Sequence, residues 1–182
     1  MSPVVSARRV AGNTSSGGHS VLLVPITLPR GVLRQLPGMA RHVWPAVPLH
    51  VTLLYPFVAP RAFDEDLMSS IEAVLSRHPS FTFRLARLAT FPGILYLQPE
   101  PAEPFVAVIS DLERTWPEYP RYGGLFDAAV PHVTIAKGWR ARRPHARVAA
   151  HLPLSFRAGH VELWHKGQWS PWRLDRRFPL SG

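Results

Sequence analysis

The chain has 182 residues, 46% hydrophobic and 18% charged, which is long enough to bury the core of one domain. It has no cysteine, which excludes disulfides, thiolate metal ligands and cysteine nucleophiles. No apolar run approaches the roughly 20 residues of a membrane span, and no signal-peptide core follows Arg8 and Arg9. We therefore expect a cytoplasmic protein without a membrane partner, in which residues 1–18 are a disordered tail and residues 19–182 a single domain.

The net charge of +9 favours an anionic partner, because a positive surface concentrates phosphates around the protein. Only Lys137 and Lys166 among the 21 basic residues are lysine, and the chain has 20 prolines. That arginine and proline bias is also what a GC-rich genome produces. The charge alone leaves nucleic-acid binding and compositional bias equally open.

The first half of the chain predicts the order strand, helix, strand, strand. Its clearest element is a helix over residues 62–76, where Leu67, Ile71 and Val74 fall on one face and Asp64 is a candidate N-cap. Alternating and apolar runs around it predict the strands. The other predicted elements are a β-type run over Ser20–Thr27, a weak helix over Gly31–Arg41 interrupted at Pro37, and strands over His50–Phe57, Phe81–Leu88 and Gly93–Leu97.

The second half of the chain repeats this pattern. Pro104 begins a second amphipathic helix and Pro117 ends it. A loop rich in Pro, Tyr and Gly then leads to a strand at His132, followed by a short helix within residues 140–150. Two or three final strands carry Trp164, Trp169 and Trp172. The repetition predicts two lobes of similar construction.

The tripeptide His-Val-Thr occurs twice, at His50–Thr52 and at His132–Thr134, each time soon after a proline and at the start of an apolar, β-prone run. Side chains alternate between the faces of a strand, so each histidine shares a face with its threonine while Val51 or Val133 points the other way. Two such pairs facing each other across a groove supply a general base, a general acid and two hydroxyl donors. Cleavage of a phosphodiester without a metal requires this set of groups.

Each member of the set has a predicted role. Of a facing pair of imidazoles that titrate near pH 6.5, one accepts a proton in its neutral form and the other donates one in its charged form. Thr52 and Thr134 are predicted to bind the non-bridging phosphate oxygens. Which of His50 and His132 is the acid stays open at this point.

With these motifs the chain resembles the 2H phosphoesterase superfamily, which includes RNA 2′-5′ ligases and 2′,3′-cyclic nucleotide phosphodiesterases and is defined by two His-x-Thr/Ser motifs. The resemblance extends over about residues 19–170 and fits both motifs without departure. The segments that carry it are His50–Phe57 and Pro131–Lys137 for the motifs, and Phe91–Leu97 and Tyr122–Asp127 for connecting segments of a bacterial branch.

The resemblance implies an α+β fold with two pseudo-symmetric lobes, whose antiparallel sheets form a concave groove with helices on the outside. It also implies a metal-independent phosphodiesterase, without a cofactor, that hydrolyses 2′,3′-cyclic phosphates of RNA ends or nucleotides. By microscopic reversibility the same site joins a cyclic-phosphate end to a 5′-hydroxyl in a 2′-5′ linkage. The alternatives are hydrolysis of 2′-5′ oligoadenylates or cyclic oligonucleotide signals and, in another class, a module that only binds RNA or nucleotide phosphate.

Further side chains are candidates for contacts with an RNA or nucleotide substrate, which we expect a monomer to bind. Aromatic rings stack on bases, and arginines add positive charge to a groove. The candidates are Tyr55, Tyr96, Tyr122 and Trp44 for stacking, and Arg84, Arg87 and Arg121 for charge.

Other chemistries fit the sequence less well. Neither lysine stands in the Lys-x-Asp-Gly setting of an ATP-dependent ligase, and the chain has no Gly-x-x-x-x-Gly-Lys-Ser/Thr phosphate loop. His145, His151, His160 and His165 show no spacing typical of metal ligands. We therefore expect no metal site.

Overall fold

A computed structural model of the chain describes residues 18–35, 46–124, 128–138 and 146–182. The predicted tail up to residue 17, the end of the predicted first helix and Trp44 lie outside these ranges. Within them are the strands β1 (His19–Ile26), β2 (Leu49–Leu54), β3 (Phe81–Phe91), β4 (Ile94–Glu100), β5 (Val133–Lys137), β6 (Leu154–Ala158), β7 (His160–Lys166) and β8 (Arg173–Pro179), and the helices α1 (Arg30–Gln35), α2 (Glu65–Leu75), α3 (Glu103–Thr115) and α4 (Ala146–Ala149).

The described strands form one antiparallel sheet in the order β6-β3-β4-β5-β2-β1-β7-β8. Strands β1, β2, β7 and β8 make up its first lobe and β3 to β6 its second lobe. The lobes meet where β2 pairs with β5, through the register pair Val51 and Val133. The predicted mixed, two-lobed antiparallel fold is confirmed, with the sheets of the two lobes joined into one curled half-barrel.

Helices α2 and α3 cover one face of this sheet. Asp64 caps α2 as predicted, because its carboxylate accepts a hydrogen bond of 2.8 Å from the backbone N–H of Leu67. The apolar stripe of each helix packs on the sheet in one core cluster, to which Ile71 of α2 and Leu112 of α3 contribute fully buried side chains. On the opposite, concave face lies a second, smaller cluster of Val21, Leu23 and Trp172.

The ends of several elements differ from the predictions. The strand expected up to Phe57 ends at Leu54, because Pro56 has no N–H to continue the ladder. Strands β3 and β4 are longer than predicted and close on Pro92 and Gly93, where Gly93 has a φ of 73°. The short helix expected within residues 140–150 is α4, and the C-terminal strands number three in the described ranges. Of the tryptophans expected on them, Trp164 lies in β7, whereas Trp169 and Trp172 lie in the connection between β7 and β8. None of the described helices combines the length and the apolar character that crossing a bilayer requires.

Candidate active site

The two His-Val-Thr motifs lie side by side, the first within β2 and the second at the start of the neighbouring β5, with His132 immediately before that strand. Because Val51 is paired with Val133 in an antiparallel ladder, His50 lies opposite Thr134 and Thr52 lies opposite His132. Both valines are completely buried on the helix side. The two histidines and two threonines therefore share the concave face, each histidine beside the threonine of the other motif. In a regular ladder such diagonal neighbours are about 7–8 Å apart, and their β-carbons somewhat less.

Both imidazoles are held in the same way. The Nδ1 atom of His50 is 2.7 Å from the carbonyl oxygen of Pro48, and that of His132 is 2.8 Å from the carbonyl oxygen of Val130. A carbonyl only accepts, so each Nδ1 carries the proton. The neutral form of each ring therefore has Nε2 as its acceptor atom, the form that a general base needs.

The surroundings of His132 are aromatic. The rings of Phe91 and Tyr96 each meet its imidazole edge to face with centroids 5.4 Å apart, and stack on each other at 4.4 Å. Tyr96, on β4, is also the register partner of Thr134 on β5. This candidate for substrate stacking therefore lies beside the second motif. The role of Phe91 was missed, because a phenylalanine at the end of a strand has no feature that distinguishes it from a core residue.

Burial lowers the pKa of both histidines. The pKa of His50 falls from 6.5 to about 4, and burial is the largest cause. The charges of the nearby His132 and Lys137 lower this pKa further, whereas the hydrogen bond to Pro48 raises it. For His132, burial and Lys137 likewise lower the pKa, against the bond to Val130. Both rings are therefore neutral near pH 7 in the free protein, whereas the sequence predicted one neutral and one charged ring.

Lys137 is a site residue that the sequence did not reveal. It is the register partner of Ile94 at the end of β5, and it lies close enough to both imidazoles to lower the pKa of each. Partial burial in turn lowers the pKa of the lysine itself. The only signal in the sequence was its position three residues after Thr134, within the segment Pro131–Lys137 that resembles the second motif of the family.

Tyr122 lies against the first motif, whereas the sequence indicated a position near the second histidine strand, to which its loop leads. Its side chain is hydrogen-bonded to Thr52 and its backbone N–H donates to the carbonyl of Tyr55, with a φ of 51° in the left-handed region. The ring of Tyr55 is 6.5 Å away, edge to face. Burial raises the pKa of both phenols, so both are neutral hydrogen-bonding groups.

The arginine candidates are placed less favourably. Arg121 donates from Nε to Glu113 at 2.8 Å, which anchors the loop of Tyr122 and neutralises the guanidinium charge. Arg84 is opposite Glu100 on β4, four residues along that strand from Tyr96, so the structure does not bring it to the histidines. Arg87 forms an ion pair of 2.8 Å with Glu100.

Glu162 of β7 is a second residue that sequence reasoning missed. It shares the concave face with Thr52, since both are register partners of Leu23 on β1. Although burial acts to raise its pKa, hydrogen bonds from Arg177 and Trp164 lower it overall, so the carboxylate is charged. This charge is near enough to His50 to act against the lowering of the histidine pKa. Within the described part of the chain no carboxylate has a comparable effect on the pKa of His132, so the two histidines differ electrostatically.

In the described ranges, no group of three or more His, Cys, Asp or Glu side chains is arranged to hold a metal ion. Apart from the carboxylate of Glu162, the functional groups around the histidines are two threonine hydroxyls, a lysine and tyrosine phenols. They suit an oxyanion such as phosphate better than a cation.

Comparison with known families decides the affiliation of the chain. The family model of the 2′-5′ RNA ligase superfamily matches residues 34–168, which include both His-Val-Thr motifs. The chain belongs to the 2′-5′ RNA ligase superfamily. This places it among the 2H phosphoesterases, as the resemblance implied.

Solved structures support the same fold for this superfamily member. The chain is similar to Escherichia coli LigT complexed with 3′-AMP, with 16% identity and a TM-score of 0.56 over 91% of this chain and 99% of that one. It is similar to the protein TT0787 of Thermus thermophilus, with 21% identity and a TM-score of 0.56 over 90% and 98% of the two chains. A search of curated proteins found no significant match.

Proposed function

We propose that this protein is a metal-independent phosphodiesterase that opens 2′,3′-cyclic phosphates at RNA ends or on nucleotides, with residues 19–182 acting as one bilobal, monomeric domain. The observation that carries the proposal is the antiparallel pairing of Val51 with Val133, which gathers two histidines and two threonines on one concave face. Family membership supports a phosphoesterase or ligase chemistry. The similar LigT structure is a complex with 3′-AMP, which carries a phosphate on the ribose, and this supports a nucleotide ligand here.

In the proposed reaction, His50 accepts a proton from water through Nε2 while the water oxygen forms a bond to phosphorus. The bond between phosphorus and one ribose oxygen breaks, and that oxygen takes the proton of His132. Thr52, Thr134 and Lys137 stabilise the negative charge of the non-bridging oxygens. The same groups, acting in reverse with a 5′-hydroxyl in place of water, form a 2′-5′ linkage.

The assignment of base and acid follows from the strongly lowered pKa of His50, in which burial outweighs the opposing charge of Glu162. A base must be unprotonated before reaction, and the pKa of about 4 keeps His50 in that form over most of the pH range. His132 then provides the proton, and charge on a bound phosphate raises its pKa towards the range in which it is protonated.

This assignment predicts an acid-shifted pH profile. For the free enzyme, kcat/KM on a cyclic mononucleotide should rise through the pKa of His50 near pH 4 and fall through that of His132 below pH 6.5. The kcat profile should lie at higher pH, because bound phosphate favours both charged imidazoles. Rates measured from about pH 3.5 to about pH 9 test this, with circular dichroism at each pH to verify folding. A kcat/KM optimum above about pH 7 would contradict it.

The direct test of the function is a substrate panel in excess chelator. It contains 2′,3′-cyclic mononucleotides, RNA with a 2′,3′-cyclic end, and 2′-5′-linked oligonucleotides. We expect turnover of the cyclic phosphates to survive chelation, because the site holds phosphate-binding groups without a metal-ligand cluster in the described residues. Activity that is lost in chelator and restored by one divalent ion would refute the proposed mechanism.

The same panel separates the alternatives. Preferential cleavage of 2′-5′ oligonucleotides or cyclic oligonucleotides favours a role in degrading such molecules. A pure phosphate-binding module would bind more tightly as the pH falls and both imidazoles become charged, without turnover at any pH. The neutral histidines of the free protein make such a module inefficient near pH 7.

A further inference from the structure

The hairpin between β7 and β8 carries an unusually exposed tryptophan. Trp169 has 90% of its surface exposed, whereas the other exposed large apolar side chains of the described residues, Leu33 and Val130, are at 42% and 45%. Its turn is ordered by a hydrogen bond of 2.7 Å from the backbone N–H of Gly167 to Oγ of Ser170. An indole held in water on a fixed turn contributes nothing to the core, and such surfaces commonly mark binding sites.

A row of side chains leads from the active site to the base of this hairpin. From Thr52 the row leads through its hydrogen bond to Tyr122 and then to Tyr55, whose ring is 6.4 Å from that of Trp172. The ammonium group of Lys166 lies 5.6 Å from the ring centre of Trp172. Trp172 is itself only 9% exposed and packs with Leu23, and Trp169 lies three residues before it in the turn. We call these five residues the aromatic track: Tyr122, Tyr55, Trp172, Lys166 and Trp169.

Strand register places the track on the groove side. Lys166, Trp164 and Glu162 alternate along β7 on one face, and Glu162 shares that face with Thr52 through Leu23. Lys166 lies four residues, or about 13 Å, along the strand from Glu162. This distance corresponds to about four stacked nucleotides at roughly 3.4 Å each. A mononucleotide bound by its phosphate at the histidines does not reach the hairpin, whereas a longer strand does.

We propose that the aromatic track binds the single-stranded RNA that adjoins the reacting cyclic phosphate, with a base stacked on Trp169 at its far end. Alternation of a cation with aromatic rings is the arrangement by which proteins bind single strands without reading their sequence. The proposal rests on the proposed function, and it specifies that function further: the preferred substrate is an RNA end several nucleotides long, not a free cyclic nucleotide.

Binding measurements test the track without any turnover. Fluorescence anisotropy of labelled RNA that ends in a 3′-phosphate, about 2, 4 and 8 nucleotides long, gives the affinity of each protein variant, and competition by 3′-AMP gives that of a mononucleotide. Trp169→Ala should weaken binding of the longest RNA by about 5- to 100-fold and leave 3′-AMP unchanged. Trp169→Phe, which keeps a stacking ring, should retain most of the affinity. Leu33→Ala, an exposed apolar side chain on α1, is the matched control and should change nothing.

The outcomes separate this proposal from the function on which it rests. Equal affinity of Trp169→Ala and the parent protein for the longest RNA, or equal weakening for 3′-AMP, overturns the track. Turnover of cyclic mononucleotides together with length-independent RNA binding retains the phosphodiesterase and rejects the track. A loss of affinity with Trp169→Ala that is confined to the longer RNAs supports the track, even if the substrate panel shows no turnover.

Discussion

Replacement of His50 or His132 by alanine is expected to lower kcat on a 2′,3′-cyclic nucleotide by about 10²–10⁴-fold. Each imidazole is held in place through its Nδ1 by a backbone carbonyl, and alanine has no group that transfers a proton from that position. The double variant should be only slightly worse than either single one, because acid and base act on one transition state. Steady-state rates on purified proteins provide the measurement.

Controls distinguish lost chemistry from lost structure. His151→Ala removes an exposed histidine after α4 and should leave kcat unchanged. Thr52→Ala and Thr134→Ala should cost less, on the order of 10-fold, because each removes one hydrogen bond to phosphate. If either His50→Ala or His132→Ala retained near-parental kcat with an intact thermal transition, the paired mechanism would be wrong.

Replacement of Lys137 by methionine is expected to lower kcat by about 10²-fold, the usual effect of removing one group that stabilises developing charge on oxygen. The same change should raise the pKa of both histidines, since the lysine charge lowers both. Both limbs of the kcat/KM profile should therefore move to higher pH. A structural role for the lysine would leave those limbs in place.

Lys137→Arg keeps the positive charge and should recover much of the parental kcat. The limbs of its kcat/KM profile should lie close to those of the parent protein. Arg61→Met removes an exposed cation from the short turn before α2 and is the matched control for net charge. If Lys137→Met left both limbs of the kcat/KM profile at the parental pH, the proposed role of Lys137 would be excluded. The same holds if Lys137→Met and Arg61→Met lowered kcat equally.

The sequence predicted those features that depend on local patterns. The Asp64 cap and the apolar stripe of Ile71 and Val74 are contained within one helix, and the duplicated motif shows by itself that each histidine shares a face with its threonine. Family resemblance supplied the two-lobed fold. The cap, the apolar stripe and the two-lobed fold are confirmed. The first two need no knowledge of which segments are neighbours in space.

Most of the missed features depend on strand register. The opposition of His50 to Thr134 follows from one pair, Val51 and Val133, and periodicity does not reveal which residues are paired. Glu162 comes from a strand far along the chain from Thr52, and Lys137 reads in sequence as an ordinary strand end. The depressed pKa of His50 likewise comes from burial that only tertiary packing creates.

The order of strands in the sheet has a consequence for how the active site forms. The second lobe is built from one continuous stretch, β3 to β6, whereas the first combines β1 and β2 with β7 and β8 from the other end of the described chain. On a ribosome, the segments of the second lobe are all available before β7 emerges. The segment with His50 is thus synthesised first, yet we expect its half of the sheet to be completed last, after the surroundings of His132 have formed.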